Sequence, residues 1–487
     1  MRHQVPARRW AAPPLAAPAC AALLLGGSAV AAPRAAGAQG FGLNEIGSCA
    51  VGRGFAVTST PCDDASVLYW NPGAAATQAR GLAVHVGASA IQVRGRFTAD
   101  YTGRTDDADV PVELPPFVGV NWKGRGRVAL GLAAYVPYGL TSRWRDDFPG
   151  RFTAQRASLR SVYVQPNVAV ELVPGRLSVG GGPVVGSSRL ELVQALDVST
   201  QTAAPGVTFA QLGFAPGTEF ARARIAGSGT GIGFNLGAQA RLADWLQLGA
   251  RYLSPVTFDY DGGEATFTPS PLAAGYVLRE GNPLGAPPGT TLARLTEGQF
   301  AGAGALAPGQ TASTTITHPA QLQVGLGFET DATTLAVEYA AVLWRSFDAL
   351  PVTFDRRPNG NPSPPSRVLA EEYETSHGLR VGAEHRYRGG LAARAGFGYA
   401  TSPAPDQTVT PLLPDMDRYN FSVGAAIPLG ARLTLDAAYL RVETEGRRGR
   451  LGERPDGLSA AETVRQLNDG WFALDANVVS LSLKARF

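Results

Sequence analysis

The last ten residues, VVSLSLKARF, constrain most strongly what this chain can fold into. Val479, Leu481, Leu483, Ala485 and Phe487 fall on one face, and Ser480, Ser482, Lys484 and Arg486 on the other. A strict period of two is the signature of a half-buried strand. GIGFNLGAQARL repeats it, with Ile232, Phe234, Leu236, Ala238, Ala240 and Leu242 opposing Gly233, Asn235, Gly237, Gln239 and Arg241. VYVQPNVAVEL does the same, with Val162, Val164, Val168, Val170 and Leu172 on one side. After the N-terminal leader no apolar run approaches the ~20 residues that a spanning helix needs. That does not exclude a membrane, because a spanning strand needs only ~9–11 residues with every second one apolar. A soluble sandwich would bury the same aliphatic face, so alternation by itself leaves both readings open.

The connections favour the barrel. Tight turns such as VPGRL, LADWL, TDAT, YRGG and PLGAR alternate with long Pro- and Gly-rich linkers near 194–228, 262–313, 352–372 and 447–471. Short turns at one end and long loops at the other are the habit of outer-membrane barrels, whereas compact soluble domains seldom carry several such connections. Strands are expected near 81–98, 114–123, 127–141, 159–173, 177–193, 229–242 and 246–260. The rest fall near 314–329, 334–350, 373–388, 391–401, 417–428, 431–446 and 473–487. Fourteen is an even number, as antiparallel closure in this class requires. The fold expected is therefore all-β, a 14-stranded antiparallel transmembrane β-barrel over 81–487.

Two segments precede it. MRHQVPARRW, the apolar AALLLGGSAVAA and the small residues Ala36–Ala38 read as a signal peptide over 1–38. Cys20 precedes the leucine-rich part of that apolar core, which argues against lipidation. The leader holds Arg2, Arg8, Arg9 and Arg34 and no acid, so the formal charge of +3 belongs to it, and nucleic-acid binding loses its support. The stretch 39–80 alternates poorly and is rich in small residues. A barrel of this size has a lumen wide enough to hold it, so it is expected to be an N-terminal hatch. Its two cysteines, Cys49 and Cys62, would meet oxidising conditions after export and are a disulfide candidate; two small buried thiols is the alternative.

Within and after the hatch, GFGLNE (Gly40–Glu45), GRGFA (Gly52–Ala56), DDASVLYWNPGAA (Asp63–Ala75) and VPYGLTSRW (Val136–Trp144) stand out, as does SPAPDQTVTPLLPDMDRYNFSVG, Ser402–Gly424. Together with the terminal Phe487 these resemble the FadL/TodX family of outer-membrane transporters for long-chain fatty acids and other hydrophobic compounds. The resemblance implies a barrel closed by a hatch, capture of substrate by long external loops, a lumen pocket near the hatch N-terminus, and lateral exit at a kink in the third strand. Pro137, flanked by Val136, Tyr138 and Gly139, lacks the N–H that a central ladder demands, so the residues independently place a break there.

By the same resemblance, Gly40, Phe41, Leu43, Asn44 and Glu45 belong to the gating segment, with Phe41 in or beside the pocket. Asn71 and Pro72 would pack the hatch against the kinked strand, and Gly73, where alanine is usual, would loosen that contact. Asp63 and Asp64 would accept hydrogen bonds from hatch backbone, pair with lumen arginines, or cap a helix or turn. Relatives that hold a substrate carboxylate use an arginine and a lysine. Here Arg189 and Arg251 are the candidates from inward parity, against structural pairing of lumen charge with Glu171, Glu338 or Glu384.

Other signals carry less. His3, His85, His318, His377 and His385 show no metal-ligand spacing. GSGTGIG, Gly227–Gly233, opens a strand instead of a helix and lacks phosphate-loop spacing, and no Gly-x-Ser-x-Gly elbow occurs. RTDDADV, Arg104–Val110, reads as a solvated hairpin tip. No cofactor, metal or catalytic residue is expected, and the chain is not read as an enzyme. Its expected partners are a hydrophobic small molecule and outer-membrane lipids, with the chain acting as a monomer. An uptake channel for aromatic hydrocarbons and a general or structural outer-membrane barrel are the alternatives.

Overall fold

The computed structural model describes residues 40–100, 102–199, 201–354, 366–449 and 467–487. The expected leader, 1–38, lies outside them. Fourteen antiparallel strands close into a barrel. They are β1 Gly81–Ala99, β2 Pro116–Lys123, β3 Val128–Tyr135 continuing as Gly139–Arg143, β4 Arg156–Val173, β5 Leu177–Asp197 and β6 Glu219–Ala243. Next come β7 Leu246–Leu253 with Val256–Pro269, β8 Gln310–His318 with Ala320–Glu329, and β9 Thr333–Leu343. β10 Thr375–Arg386, β11 Ala392–Ala400, β12 Arg418–Pro428, β13 Leu433–Thr444 and β14 Gly470–Arg486 complete the wall. Closure is direct: β1 pairs with β2 on one side and with β14 on the other, Ala83 opposite Arg486 and Ala99 opposite Gly470.

The face that is apolar in sequence points outward. Val479, Leu481 and Leu483 of β14 are about half exposed, while Ser480 and Ser482 between them are buried. A water-soluble protein would invert this, so the outer band is built for acyl chains. Trp122, Trp245 and Tyr387 sit exposed near the short turns, where an aromatic girdle belongs.

The strand count agrees with the sequence reading, but several strands run farther. β6 begins at Glu219 instead of near 229, and β7 reaches Pro269, so the external loops are shorter than the linkers suggested. Three strands are also broken. β3 is interrupted at Val136–Tyr138, as Pro137 requires; β7 at Ser254–Pro255 and β8 at Pro319 are breaks that the sequence reading ran straight through. All have one cause, an X-Pro step that removes a ladder donor. At the β7 break Ser254 supplies the repair: its N–H donates to Phe234 O (2.9 Å) and its hydroxyl accepts from Phe234 N–H (2.8 Å).

Residues 40–80 fold as short helices α1 Ser48–Gly52 and α2 Val67–Trp70, with a 3-10 turn at Pro72–Thr77. They are almost wholly buried against the inward faces of the strands. Glu338 on β9 accepts from the N–H groups of Val57 and Thr58 (3.1 and 2.8 Å) and pairs with Arg380 at 3.0 Å. Buried carboxylates need such partners. Cys49 and Cys62 are joined by a disulfide, Cα–Cα 6.2 Å. A loop of this length constrains the unfolded chain by about 3 kcal/mol in the entropy model. Changing both cysteines to alanine is therefore expected to raise amide exchange across 48–62 while leaving the barrel strands protected. Unchanged exchange there would count against a tethering role.

Candidate functional site

The site starts from the missing hydrogen bonds of β3. β2 and β3 pair from Lys123–Ala129 to Val118–Ala134 and then part. One rim of the gap carries Pro137; the other carries Pro115 and Pro116, which likewise have no N–H to offer. Neither edge can complete the ladder. Farther out the wall closes again, where Asp109 N–H donates to Arg143 O (2.9 Å). The result is a bounded gap in the backbone ladder between residues 113–116 and 136–141, spanned at one end by Thr141 Oγ1, which donates to Glu113 Oε1 at 2.8 Å.

On its inner side the broken strand is capped by the N-terminal segment. Leu43 N–H donates to Pro137 O and Gly139 N–H donates to Phe41 O, both at 2.9 Å, with Gly42 opposite Tyr138 in an antiparallel bridge. The segment thus adds a short strand to the kink and satisfies backbone groups that would otherwise face the lumen. Side chains fasten it. Phe41 makes edge contacts with Trp344 (4.7 Å), Phe347 (5.2 Å), His318 (5.5 Å) and Tyr138 (6.0 Å). Such pairs contribute about 0.5–1.5 kcal/mol each beyond burial. Tyr138 OH donates to Pro319 O at 2.6 Å, so the carbonyl at the β8 break holds the ring at the β3 break. Gly40 N–H donates to Asp415 Oδ2 (3.1 Å), and Asn44 N–H to Glu45 Oε2 (2.9 Å).

Beside this segment lies a cavity of about 560 Å³. Gly40, Leu43 and Glu45 form its inner wall; Val136, Gly139 and Leu140 form one side of the opening, and Leu114 and Pro115 the other. Arg160 and Val162, on the outside of β4, also reach it, so it runs from the lumen to the lipid face. Val93, Leu159, Leu413 and Leu474 make most of it apolar. Its ionisable groups include Arg418, Glu45 and Asp415. Burial pushes the Glu45 and Asp415 carboxyls up from their ordinary values, against the pull of Arg418 on both. A second, smaller apolar cavity of about 220 Å³ lies among the external loops, lined by Phe209, Phe220, Phe267, Leu295 and Phe354.

The sequence candidates divide. Gly40, Leu43, Glu45, Val136 and Gly139 line the cavity beside the N-terminal segment; Phe41 and Tyr138 lie next to it. Asn71 and Pro72 pack chiefly against β4, β5 and β6, and the Pro72–Thr77 turn also touches β3. Asn71 Nδ2 donates to Ala238 O (3.0 Å) and Gln239 Oε1 (2.9 Å), and Asn167 Nδ2 to Pro72 O (3.3 Å). Gly73 tightens this contact rather than loosening it, since a Cβ there would overlap the carbonyl of Gly237. Asp63 pairs with Arg486 at 2.6 Å, and Asp64 accepts from Ser66 N–H (2.8 Å). Asp64 also lies 3.1 Å from His85 Nδ1. Burial works against its ionised form, but His85 outweighs that and holds the carboxyl below its ordinary value.

Neither arginine candidate reaches the cavity. Arg189 is at an exposed position on the outside of β5, with Ser188 and Leu190 buried on either side, so its inward assignment is corrected. Arg251 does point inward, bonding Asn235 (3.2 Å) and Gln321 (3.0 Å) and lying over the face of Tyr69 (3.9 Å), but it is not among the residues that line the cavity. The structural pairings of Glu171 with Lys123, Glu338 with Arg380 and Glu384 with Arg394 are all present. Arg418 and His318 were missed. Nothing in the alternation marks them, because one opens a strand and the other sits at a break.

A family model described as outer membrane protein transport protein (OMPP1/FadL/TodX) matches residues 29–487. The 47 kDa outer membrane protein of Pasteurella multocida (strain Pm70) is 25% identical over 409 residues, 84% of this chain and 88% of that one. Among solved structures, a Pseudomonas aeruginosa FadL homologue superposes with a TM-score of 0.72 at 20% identity, covering 92% of this chain and 100% of that one. The Ralstonia pickettii toluene transporter TbuX gives 0.61 at 17% identity, covering 92% and 99%.

Proposed function

Since the chain belongs to the OMPP1/FadL/TodX family of outer-membrane transport proteins, we propose that it takes up hydrophobic small molecules, long-chain fatty acids first among them, by way of the lumen cavity and the gap beside β3. One observation carries this reading. A single apolar cavity touches the N-terminal segment at one end and the lipid-facing side of β4 at the other. A water-filled channel would cost an apolar solute ~0.8 kcal/mol per exposed methylene, and a side exit into the leaflet avoids that cost. At about 560 Å³, the cavity falls within the range for ligands of drug or lipid size. Arg418 is the cation placed to meet a carboxylate, its own ion pair to Asp415 being long at 3.7 Å.

A second reading has its own support. Glu45, Glu113, Asp415 and Asp475 also line the cavity, and that acidity favours an uncharged hydrocarbon. Uptake by lipopolysaccharide-containing outer-membrane vesicles, comparing a labelled fatty acid with its fatty alcohol, separates the two. The fatty acid is expected to enter faster, and Arg418→Gln to slow the acid severalfold while sparing the alcohol. Equal entry of both, indifferent to Arg418→Gln, would favour the hydrocarbon reading. Entry of neither above protein-free vesicles would leave a structural barrel.

A further inference from the structure

The outward face of the wall beside the gap carries a charged feature that the proposed route does not explain. Arg160 on β4 and Arg189 on β5 stand directly opposite each other in the antiparallel ladder, both exposed. Like charges in that position repel. Arg160 has a partial answer in Glu113, 3.1 Å away. Among the described residues Arg189 has no carboxylate within ion-pairing distance. The nearby Glu191, one outward row closer to the external loops, is engaged by Arg156 (3.5 Å) and Arg224 (3.3 Å).

Depth gives the pair its meaning. Along β4, β5 and β6 the outward residues between the short turns and this row are largely apolar; Val162, Val164, Val185 and Ile232 are 47, 43, 51 and 75% exposed. The two arginines come immediately above that band, on the side of the long external loops, so they stand at headgroup level over an acyl-chain surface. Exposed hydroxyls flank Arg189: Ser228 opposite it on β6 and Ser187 two residues along β5. Paired guanidinium forks with neighbouring hydroxyls match the geometry of a phosphate monoester or diester.

We propose that Arg160 and Arg189 clasp the phosphate of a phosphorylated outer-leaflet lipid, whose acyl chains lie down the valine surface of β4 and β5. The anion turns a repulsive pair into two attractive ones. Because Arg160 also edges the cavity, the bound lipid is the neighbour of the wall opening. The assignment does not depend on what the protein transports.

The test is native mass spectrometry of the detergent-solubilised full chain with three probes: bisphosphorylated lipid A, the same lipid stripped of phosphate, and inorganic phosphate. The wild type is expected to retain the bisphosphorylated lipid about tenfold better than an Arg160→Gln/Arg189→Gln variant, at roughly one kcal/mol or less per arginine. It should also discriminate to the same degree against the dephosphorylated lipid. Arg96→Gln on β1, which removes an exposed pair with Asp107, should change nothing. Arg189→Gln alone, at a fully outward position, serves if the double variant fails to insert. Retention unaffected by these changes, equal retention of the dephosphorylated lipid, or displacement of the lipid by equimolar inorganic phosphate would each overturn the assignment.

Discussion

A Gly249→Leu/Gly396→Leu variant is expected to conduct ions steadily in a planar bilayer where the wild type is nearly silent. Both glycines are on inward faces of the wall, where the N-terminal segment comes into backbone contact. A Cβ at Gly249 of β7 would overlap the carbonyl of Thr58, and one at Gly396 of β11 would overlap the backbone at Gly54. Neither obstacle is the flexible end of a side chain, so the segment must lift as a body. Overpacking of this kind costs about 1–3 kcal/mol per site. Here it is directed at the small folded piece and not at the hydrogen-bonded wall. With the segment displaced, a 14-stranded lumen is wide enough for hydrated ions. Gly126→Leu, in an open turn with nothing nearby, is the control. A double variant as quiet as wild type, with the segment still protected from exchange, would mean the seal lies elsewhere.

The same glycines show where the sequence was readable. A period of two survives in any strand that faces lipid on one side and a packed lumen on the other, so all fourteen strands were visible without the structure. So was the break at Pro137, because a missing N–H is a local fact. Pro255 and Pro319 carry the identical fact but are embedded in RYLSPVTFDY and THPAQLQ, where the apolar rhythm resumes within a residue or two. Arg189 failed for a different reason. In GPVVGSSRLEL two valines and then two serines are adjacent, which leaves the phase undetermined, and a slip of one residue exchanges the faces. Asn71, Pro72 and Gly73 were singled out by the resemblance as packing on the kinked strand, but most of what their turn touches lies on β4, β5 and β6. What they touch is set by strands about a hundred or more residues away, and no local pattern encodes that. The pairing of Asp64 with His85 spans far fewer residues but is likewise set by packing that no periodicity displays.

Locking the N-terminal segment to β3 is expected to abolish uptake, and unlocking it to restore uptake. Gly42 and Tyr138 form a bridge flanked by the Leu43–Pro137 and Phe41–Gly139 hydrogen bonds. They are therefore a non-hydrogen-bonded pair, in which Cα atoms approach to about 4.5 Å and a disulfide is sterically allowed. In a Gly42→Cys/Tyr138→Cys variant the oxidised form should transport at the background of empty vesicles, and mild reduction should return it toward the level of the two single variants. The single variants also account for loss of the Tyr138 hydroxyl, which holds Pro319 O. The native Cys49–Cys62 bridge is buried and lies behind the locked residues, so it tethers the rest of the segment whichever state the new bridge is in. Among the described residues, those before Cys49 lie outside the loop that the native bridge closes, and they are the ones that both cap the kink and line the cavity. Equal uptake by the oxidised and reduced forms would show that substrate leaves without separating Phe41–Leu43 from the broken strand.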